Sequence, residues 1–359
     1  MDSVRTLSCT DGRASSAGAV GDRDTDYTII KGEMRMYNDI KLEKGLYSIT
    51  GKSFTEALES LDPSGEYKGT EFEGLDAYER QLKRFDIKVS GAGCDKVEKF
   101  FLSTESAVLF PEYIRRQVKA GMDDASILPD ITAAETKTDS LDYRAFTITK
   151  VDSGSTANQL SNLPQSTVKL ASSASALTKY GRRFSCSYEA IRKQRIEAFG
   201  VILRTLGAQI SRSINDACIS ALSTGLTPVT YSGSISYGTL ASFWASMADY
   251  DMDVMLCAPG LMAEILALNE MKYCVTDFMS SGKVVTPYGV TLIKCSGMTA
   301  DTALGLDSKC AAEVVFGSDV IVDYDKLISN QCDEIAASVL CGFSVLTSGA
   351  VKKLAPAST

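Results

Sequence analysis

The hydrophobic pattern of the chain is organised around residues 185–222, SCSYEAIRKQRIEAFGVILRTLGAQISRSINDACISAL. Proline is absent there, and Ile196, Phe199, Leu203, Leu206, Ile210, Ile214, Ala217 and Ala221 recur at steps of three or four. Such spacing draws one continuous stripe down a helix. Ser185 or Ser187 can cap its start, Glu189 lies in the first turn where the helix dipole favours negative charge, and Gly225 can supply a left-handed stop. A helix of this length spans roughly 50 Å at about 1.5 Å per residue. Gly200 and Gly207 lie inside it two turns apart on one face, each costing about 1 kcal/mol relative to alanine. Two readings follow: a long core helix that tolerates its glycines, or a spine along which other segments or subunits approach closely.

Upstream, residues 1–26 are small, polar and aperiodic, too poor in apolar surface to offset their ordering entropy. They predict a flexible arm. Ser53 can cap a short helix through Leu61 that Asp62-Pro63 ends, and residues 75–85 place Leu75, Tyr78, Leu82 and Phe85 on one helical face. Pro111 reads as the opening of a third helix, with Gly121 just past its end. Residues 142–151 and 166–180 alternate as strands around DSGSTANQLSNLPQ, which is rich in turn formers, so they predict a long hairpin. Its second arm is mostly serine and alanine, and an isolated hairpin is marginal in water. It must therefore lie on something, and another copy of the chain is a natural candidate.

After Pro228 the elements become short. A helix over 237–248 carries Leu240, Phe243, Trp244 and Met247 on one face, a strand covers 253–257, and Pro259 opens a further helix. Residues 283–293 read as strand, Thr-Pro-Tyr-Gly turn and strand, 302–306 and 311–316 as two strands around an Asp-Ser-Lys turn, and 320–324 as another. This predicts an α/β lobe. Residues 334–346 alternate strictly, with Ile335, Ala337, Val339, Cys341, Phe343 and Val345 facing one way. A strand this long after a compact lobe should return to pack along the spine.

Composition then narrows the chemistry. The 359 residues carry a net charge of −8 and no histidine, which removes the commonest general base and metal ligand. An acidic chain is a poor candidate for tight phosphate binding. None of the ten cysteines forms a C-x-x-C pair, so they predict reduced, buried thiols of a cytoplasmic product and no metal cluster. No run approaches the length of a membrane span, and the N-terminus lacks a secretory pattern. No nucleophile elbow, P-loop or complete dinucleotide loop occurs; Gly91-Ala92-Gly93 lacks the third glycine. Ser166-x-x-Lys169 and Ser280-x-x-Lys283 lack the companion motifs of serine acyl-enzymes. Asp123-Asp124 and Asp249/Asp251/Asp253 read as solvated charge, and the latter lacks the glycine and distal glutamate of a calcium loop. The one strong charge asymmetry is basic: Lys179, Arg182, Arg183, Arg192, Lys193 and Arg195. It reads either as a solvated face or, better in an acidic protein, as a contact with an acidic neighbour such as another copy.

This order of parts, and residues 163–222 in particular, resembles the major capsid proteins of tailed bacteriophages, the Hong Kong 97 fold family. The resemblance is carried by Leu163-Pro164 at a hairpin tip, Lys179-Tyr180-Gly181 at a strand end, Ser187-Tyr188-Glu189-Ala190 at a helix start and Gly207-Ala208-Gln209 mid-helix. LFPEYIRRQVKAG and residues 253–324 are similar to further parts of that pattern, so it covers about residues 105–350. It implies an α+β fold. The expected parts are an N-terminal arm and extension (1–140), an extended hairpin loop (141–184) and a peripheral domain with the spine helix (185–226). An axial α/β domain (227–326) and a return strand with the C-terminal tail (327–359) would complete it. It implies self-assembly into hexamers and pentamers of an icosahedral shell that encloses double-stranded DNA without sequence-specific binding. A scaffolding protein and a portal would be partners, decoration proteins optional ones, and the virion capsid, assembled in the host cytoplasm, its location. No cofactor, membrane or catalysis is implied. Lys169, Lys179, Arg182, Arg183, Arg192, Arg195, Leu163 and Pro164 are the expected intersubunit contacts. Gln159 and Ser161 stand where members often carry an acid, so one intersubunit ion pair is missing. Lysine–asparagine crosslinking, known in some relatives, would draw on Lys150 or Lys169 and Asn330, where no activating acid is marked. An encapsulin-type nanocompartment shares the fold and is the near alternative; a soluble enzyme with an unfamiliar site is the distant one.

Overall fold

The computed structural model describes residues 37–357 other than 39, 50, 141, 151–155, 172–173, 275–277 and 280–282. The predicted arm over 1–26 and part of the hairpin tip lie outside the described residues. The chain divides into two units: one comprises residues up to Ile87 with Thr104–Leu109, the other Lys88–Ser103 with Phe110–Thr359.

In the smaller unit α1 (Phe54–Leu61) begins at a reciprocal capping box: Ser53 Oγ accepts from the Glu56 amide, and the Glu56 carboxylate accepts from the Ser53 amide at 2.7 Å. α2 (Ala77–Arg84) starts the same way from Asp76 and Glu79, so it opens two residues later than the apolar spacing predicts. Its polar side is buried as well. Arg80 and Asp62 are both fully buried and joined Nε to Oδ2 at 2.7 Å, while Arg80 also donates to the Leu75 carbonyl at 2.7 Å. The Tyr67 ring lies 4.2 Å under the guanidinium, and its hydroxyl donates to Asp62 at 2.5 Å.

α3 (Thr104–Ala125) runs straight through Pro111. The predicted start at Pro111 is therefore corrected, as is the stop at Gly121. Val108, Leu109 and Phe110 are buried, and this apolar turn carries the helix past a proline that costs about 3 kcal/mol in a helix interior.

In the larger unit α4 (Leu128–Ile131) is followed by β1 (Ala134–Lys137), β2 (Asp142–Tyr143), β3 (Phe146–Lys150), β4 (Ser166–Leu170), β5 (Ser175–Ala176) and β6 (Thr178–Ser187). The predicted single helix from residue 185 is two: α5 (Tyr188–Lys193), capped by Ser187, and α6 (Ile196–Ser223). Between them Gln194 and Arg195 are extended. At this break two backbone groups bond to a distant segment: Val97 N donates to Gln194 O at 3.0 Å, and Ile196 N donates to Asp95 O at 2.9 Å. Partners a hundred residues away thus replace the helical ladder there. Gly225, at φ 76°, lies just past the far end as expected.

Of the predicted stripe α6 buries Ile196, Phe199, Leu203, Ile210 and Ile214; Leu206, Ala217 and Ala221 are half-buried, and Cys218, Ile219 and Leu222 are buried toward its end. The second half of α3 crosses it at backbone distance. A Cβ placed on Gly207 would stand 2.0 Å from the Val118 carbonyl oxygen, and one on Gly121 2.0 Å from that of Arg204. Tyr113 Oη, which donates to Ile196 O at 2.8 Å, occupies the space beside Gly200. Asn215 on α6 donates to the Ala125 carbonyl at 2.9 Å, satisfying the end of α3.

The remaining elements are β7 (Val229–Tyr231), α7 (Tyr237–Ala245), β8 (Val254–Cys257), α8 (Pro259–Ala267), β9 (Val284–Val285), β10 (Thr291–Lys294), β11 (Ala303–Leu306), β12 (Ala312–Phe316), β13 (Ile321–Leu327), β14 (Cys332–Val345) and β15 (Val351–Pro356). One sheet has the order β1-β12-β14-β13, with β6 on the opposite edge of β14. The other has the order β7-β15-β11-β8-β10-β9. β14 alternates as predicted from Ile335 to Cys341 and packs on α6. The partition expected at residues 326 and 327 does not follow the sheets. β12 and β13 join β14, because the turn at Asp307–Lys309 carries the chain from one sheet to the other; Asp253 holds that turn by accepting from Ser308 N at 2.8 Å. Residues 351–356, expected as a tail, form an inner strand whose Val351 and Leu354 are buried. Of the residues read onto one face of the helix predicted over 237–248, Leu240, Phe243 and Met247 are buried, whereas Trp244 is 42% exposed.

Two stability changes are expected. Gly207→Ala and Gly121→Ala should each destabilise by about 1–3 kcal/mol through overpacking against backbone, whereas Gly238→Ala in α7, whose nearest neighbour would be 3.9 Å away, should be neutral or stabilising. Urea melts of the three variants check this. Arg80→Met, which leaves Asp62 buried and unpaired, should cost about 3–5 kcal/mol in the same melts.

Candidate assembly interface

The hairpin is built on β3 and β4, antiparallel with Phe146 opposite Leu170 and Lys150 opposite Ser166. Phe146, Val168 and Leu170 are 52%, 61% and 56% exposed, an apolar set that its own chain leaves uncovered among the described residues. At the tip Leu160 is fully exposed and Leu163 is 78% exposed, with Pro164 half-buried beside it. A turn that Ser161 closes on the Asn158 carbonyl presents these leucines, with Leu160 itself in the left-handed region at φ 66°. Lys169 is exposed on β4.

The root of the hairpin is held firmly. β2 pairs with β5, and Tyr143 Oη donates to Glu313 Oε1 at 2.7 Å, an oxygen that Thr136 on β1 also reaches. Glu313 is buried, and its Oε2 has no partner among the described residues. The phenol of Tyr143 is pushed up from its ordinary value, first by burial and then by its bond to this carboxylate. Leu177 packs where side chains on Gly317 and Gly342 would be, 2.6 and 2.8 Å from their absent Cβ atoms. None of these anchors stood out in the sequence; two glycines in strand patterns were the only available signal.

The basic cluster separates into two sets. Lys179, Arg182 and Arg183 lie exposed along β6, with Arg183 3.7 Å from Glu334 on β14. Arg192 instead lies over the Phe101 and Tyr188 rings at 5.6 and 5.8 Å, and Arg195 donates to the Ala92 carbonyl at 3.2 Å. Those two are engaged within their own chain.

Elsewhere the polar groups hold structure together. A cleft of about 600 Å³ beside α3 is lined by Met122, Ile214 and Val339 and rimmed by Lys119, Asp123 and Asp319. Lys119 and Arg115 reach Asp319 at 3.7 and 3.5 Å, and burial pushes the Asp123 carboxyl up. Of Asp249, Asp251 and Asp253, the last secures the turn at Ser308 through both carboxylate oxygens, and the Asp251 amide donates to Asp307 at 3.2 Å. Lys283 contacts Asp130 at 3.2 Å, and Ser280 of its motif lies outside the described residues. Nine described cysteines are free, and Cys9 lies outside the described residues. Burial pushes the thiols of Cys218, Cys257 and Cys341 up to about 12 and that of Cys295 to about 11.

With this geometry in view, the relatives can be placed. The chain is similar to a chain of the virus-like particle from Pyrococcus furiosus, with 12% identity and a TM-score of 0.51 over 68% of this chain and 98% of that one. It is also similar to a chain of Gordonia phage Cozz (16% identity, TM-score 0.48, 65% and 87% covered) and to the capsid of a native GTA particle (12%, 0.49, 67% and 91%). The first of these fixes the fold as the Hong Kong 97 type that the sequence resembled. Residues 171–331, which run from the hairpin's second arm through α6 to the start of β14, match the family model described as phage capsid protein. Match and fold together support a major capsid protein of bacteriophage type, a shell-building structural protein. Among curated proteins none matches the chain.

The buried thiols set an alkaline limit. A group whose folded pKa is raised stabilises the fold below its unfolded value, near 9, and that stability is lost as pH rises toward about 12. Native Cys218, Cys257 and Cys341 should resist thiol reagents at neutral pH, and pH titration of the melting temperature should fall through that window, less steeply in Cys218→Ala.

Proposed function

We propose that this chain is the major capsid protein of a tailed-phage particle, whose copies gather into hexamers and pentamers and close an icosahedral shell around double-stranded DNA. The observation that carries the reading is the hairpin: a firmly rooted arm that presents Phe146, Leu160, Leu163, Val168 and Leu170 to solvent. Fully burying one such side chain is worth about 1.5–3 kcal/mol, so this surface gains most by lying on a second copy. In this reading β6, α5, α6 and the sheet around β14 form the peripheral domain, and the sheet around β11 forms the axial one. Leu163, Pro164, Lys169, Lys179, Arg182 and Arg183 are the intersubunit contacts. A net charge of −8 suits a wall that must contain DNA without binding it. A scaffolding protein and a portal act with it, assembly takes place in the host cytoplasm, and the role is structural, not catalytic. The nanocompartment alternative draws only on the shared fold.

The test is to replace residues 153–165 by a short Gly-Ser turn. The shortened protein should stay folded and soluble with near-parental circular dichroism, and should lose closed shells in light scattering and negative-stain images. Normal shells from that variant would overturn the proposal.

A further inference from the structure

The sheet that contains β14 has two long outer strands. β6, ten residues, and β13, seven residues, each pair with β14, and among the described residues neither has a partner on its other edge. Such edges carry rows of unpaired amides and carbonyls and readily template another strand. Their charges are opposite. β6 carries Lys179, Arg182 and Arg183, all exposed, and no acid. β13 exposes Asp323 and Asp325, while its only basic residue, Lys326, reaches toward the Phe101 ring at 6.0 Å. The register sets Asp323 level with Ala336 and Arg183, so the acidic and basic edges bound one face.

Charge on an edge strand ordinarily blocks pairing. Here one sign on each edge blocks β6 from β6 and β13 from β13, but favours β6 against β13. We propose that the β13 edge of one copy pairs with the β6 edge of the next, continuing the sheet across the subunit boundary. The partner is a second copy of this chain. Such head-to-tail contact, unlike a two-fold one, closes into rings. It is continuous with the interface already proposed, because the hairpin leads directly into β6 and would run out over the same neighbour. The inference rests on the capsid reading for the existence of rings.

The test uses two variants, Lys179→Glu with Arg182→Glu, and Asp323→Lys with Asp325→Lys; Arg183 is left in place because it contacts Glu334 within the chain. Each variant alone should remain folded by circular dichroism and lose rings in native mass spectrometry. Mixed in equal amounts they should recover hexamers but not pentamers, because alternating copies close only in even numbers, and the fourfold variant should recover both. Parental rings from either variant alone, or no recovery on mixing, would overturn the inference while leaving the capsid reading intact. Amide hydrogen exchange of the unmodified protein gives a second measure that needs no variant. Thr178–Ser187 and Ile321–Leu327 should be slower to exchange in rings than in monomer; equal exchange overturns the edge pairing, and an unmodified chain that never leaves the monomer overturns both readings.

Discussion

The crossing of α3 and α6 is the constraint on which the larger unit depends. Two glycines, Gly121 and Gly207, let each helix bring a carbonyl to within 2.0 Å of where a Cβ would stand. At that separation the helices meet through backbone and short side chains, and Asn215 closes the end of one with a side chain of the other. α6 is then free to offer another face to β14, so one helix organises both a helical neighbour and a sheet. The helix propensity given up at the glycines is small beside the interior contacts that close packing creates.

Much of this was legible in the residues. The capping residue of α1, the alternation of β14, most of the stripe of α6 and the antiparallel arms of the hairpin are all local patterns, although each arm is broken into shorter strands than its alternation implied. Several of the departures come from partners distant in sequence. The helix breaks at Gln194 and Arg195, where the Val97 amide takes the Gln194 carbonyl and the Asp95 carbonyl takes the Ile196 amide. β12 leaves the lobe it was read into because β14, which arrives later, pairs with it. Arg80 sits on what a helical wheel calls the polar face, and its bonds to Asp62, Ser64 and the Leu75 carbonyl, over the Tyr67 ring, make its burial tolerable. The same distinction holds at the interface. The exposed leucines of the tip could be read from composition, but the engagement of Arg192 and Arg195 by Phe101 and Ala92 could not.

The hairpin combines two physical regimes. At its base, buried hydrogen bonds to Glu313 and the insertion of Leu177 over two glycines fix the direction in which it leaves the sheet. Farther out, among the described residues, Phe146, Leu160, Leu163, Val168 and Leu170 stand exposed. In the proposed shell, a fixed root under an exposed apolar arm would give each copy a directed reach and lower the ordering entropy that the contact costs.

The place of β15 ties folding to synthesis. Residues 351–356 fill the position between β7 and β11, so until they arrive the sheet has a gap between strands from residues 229–231 and 303–306. During translation the earlier strands must wait on the ribosome for more than forty residues before that gap can be filled. A copy cut short before Val351 leaves β11 with an open edge and no cover for its buried neighbours. The arrival of these late residues is therefore the event that makes this sheet whole, so the order in which the strands are made is not the order in which they lie side by side.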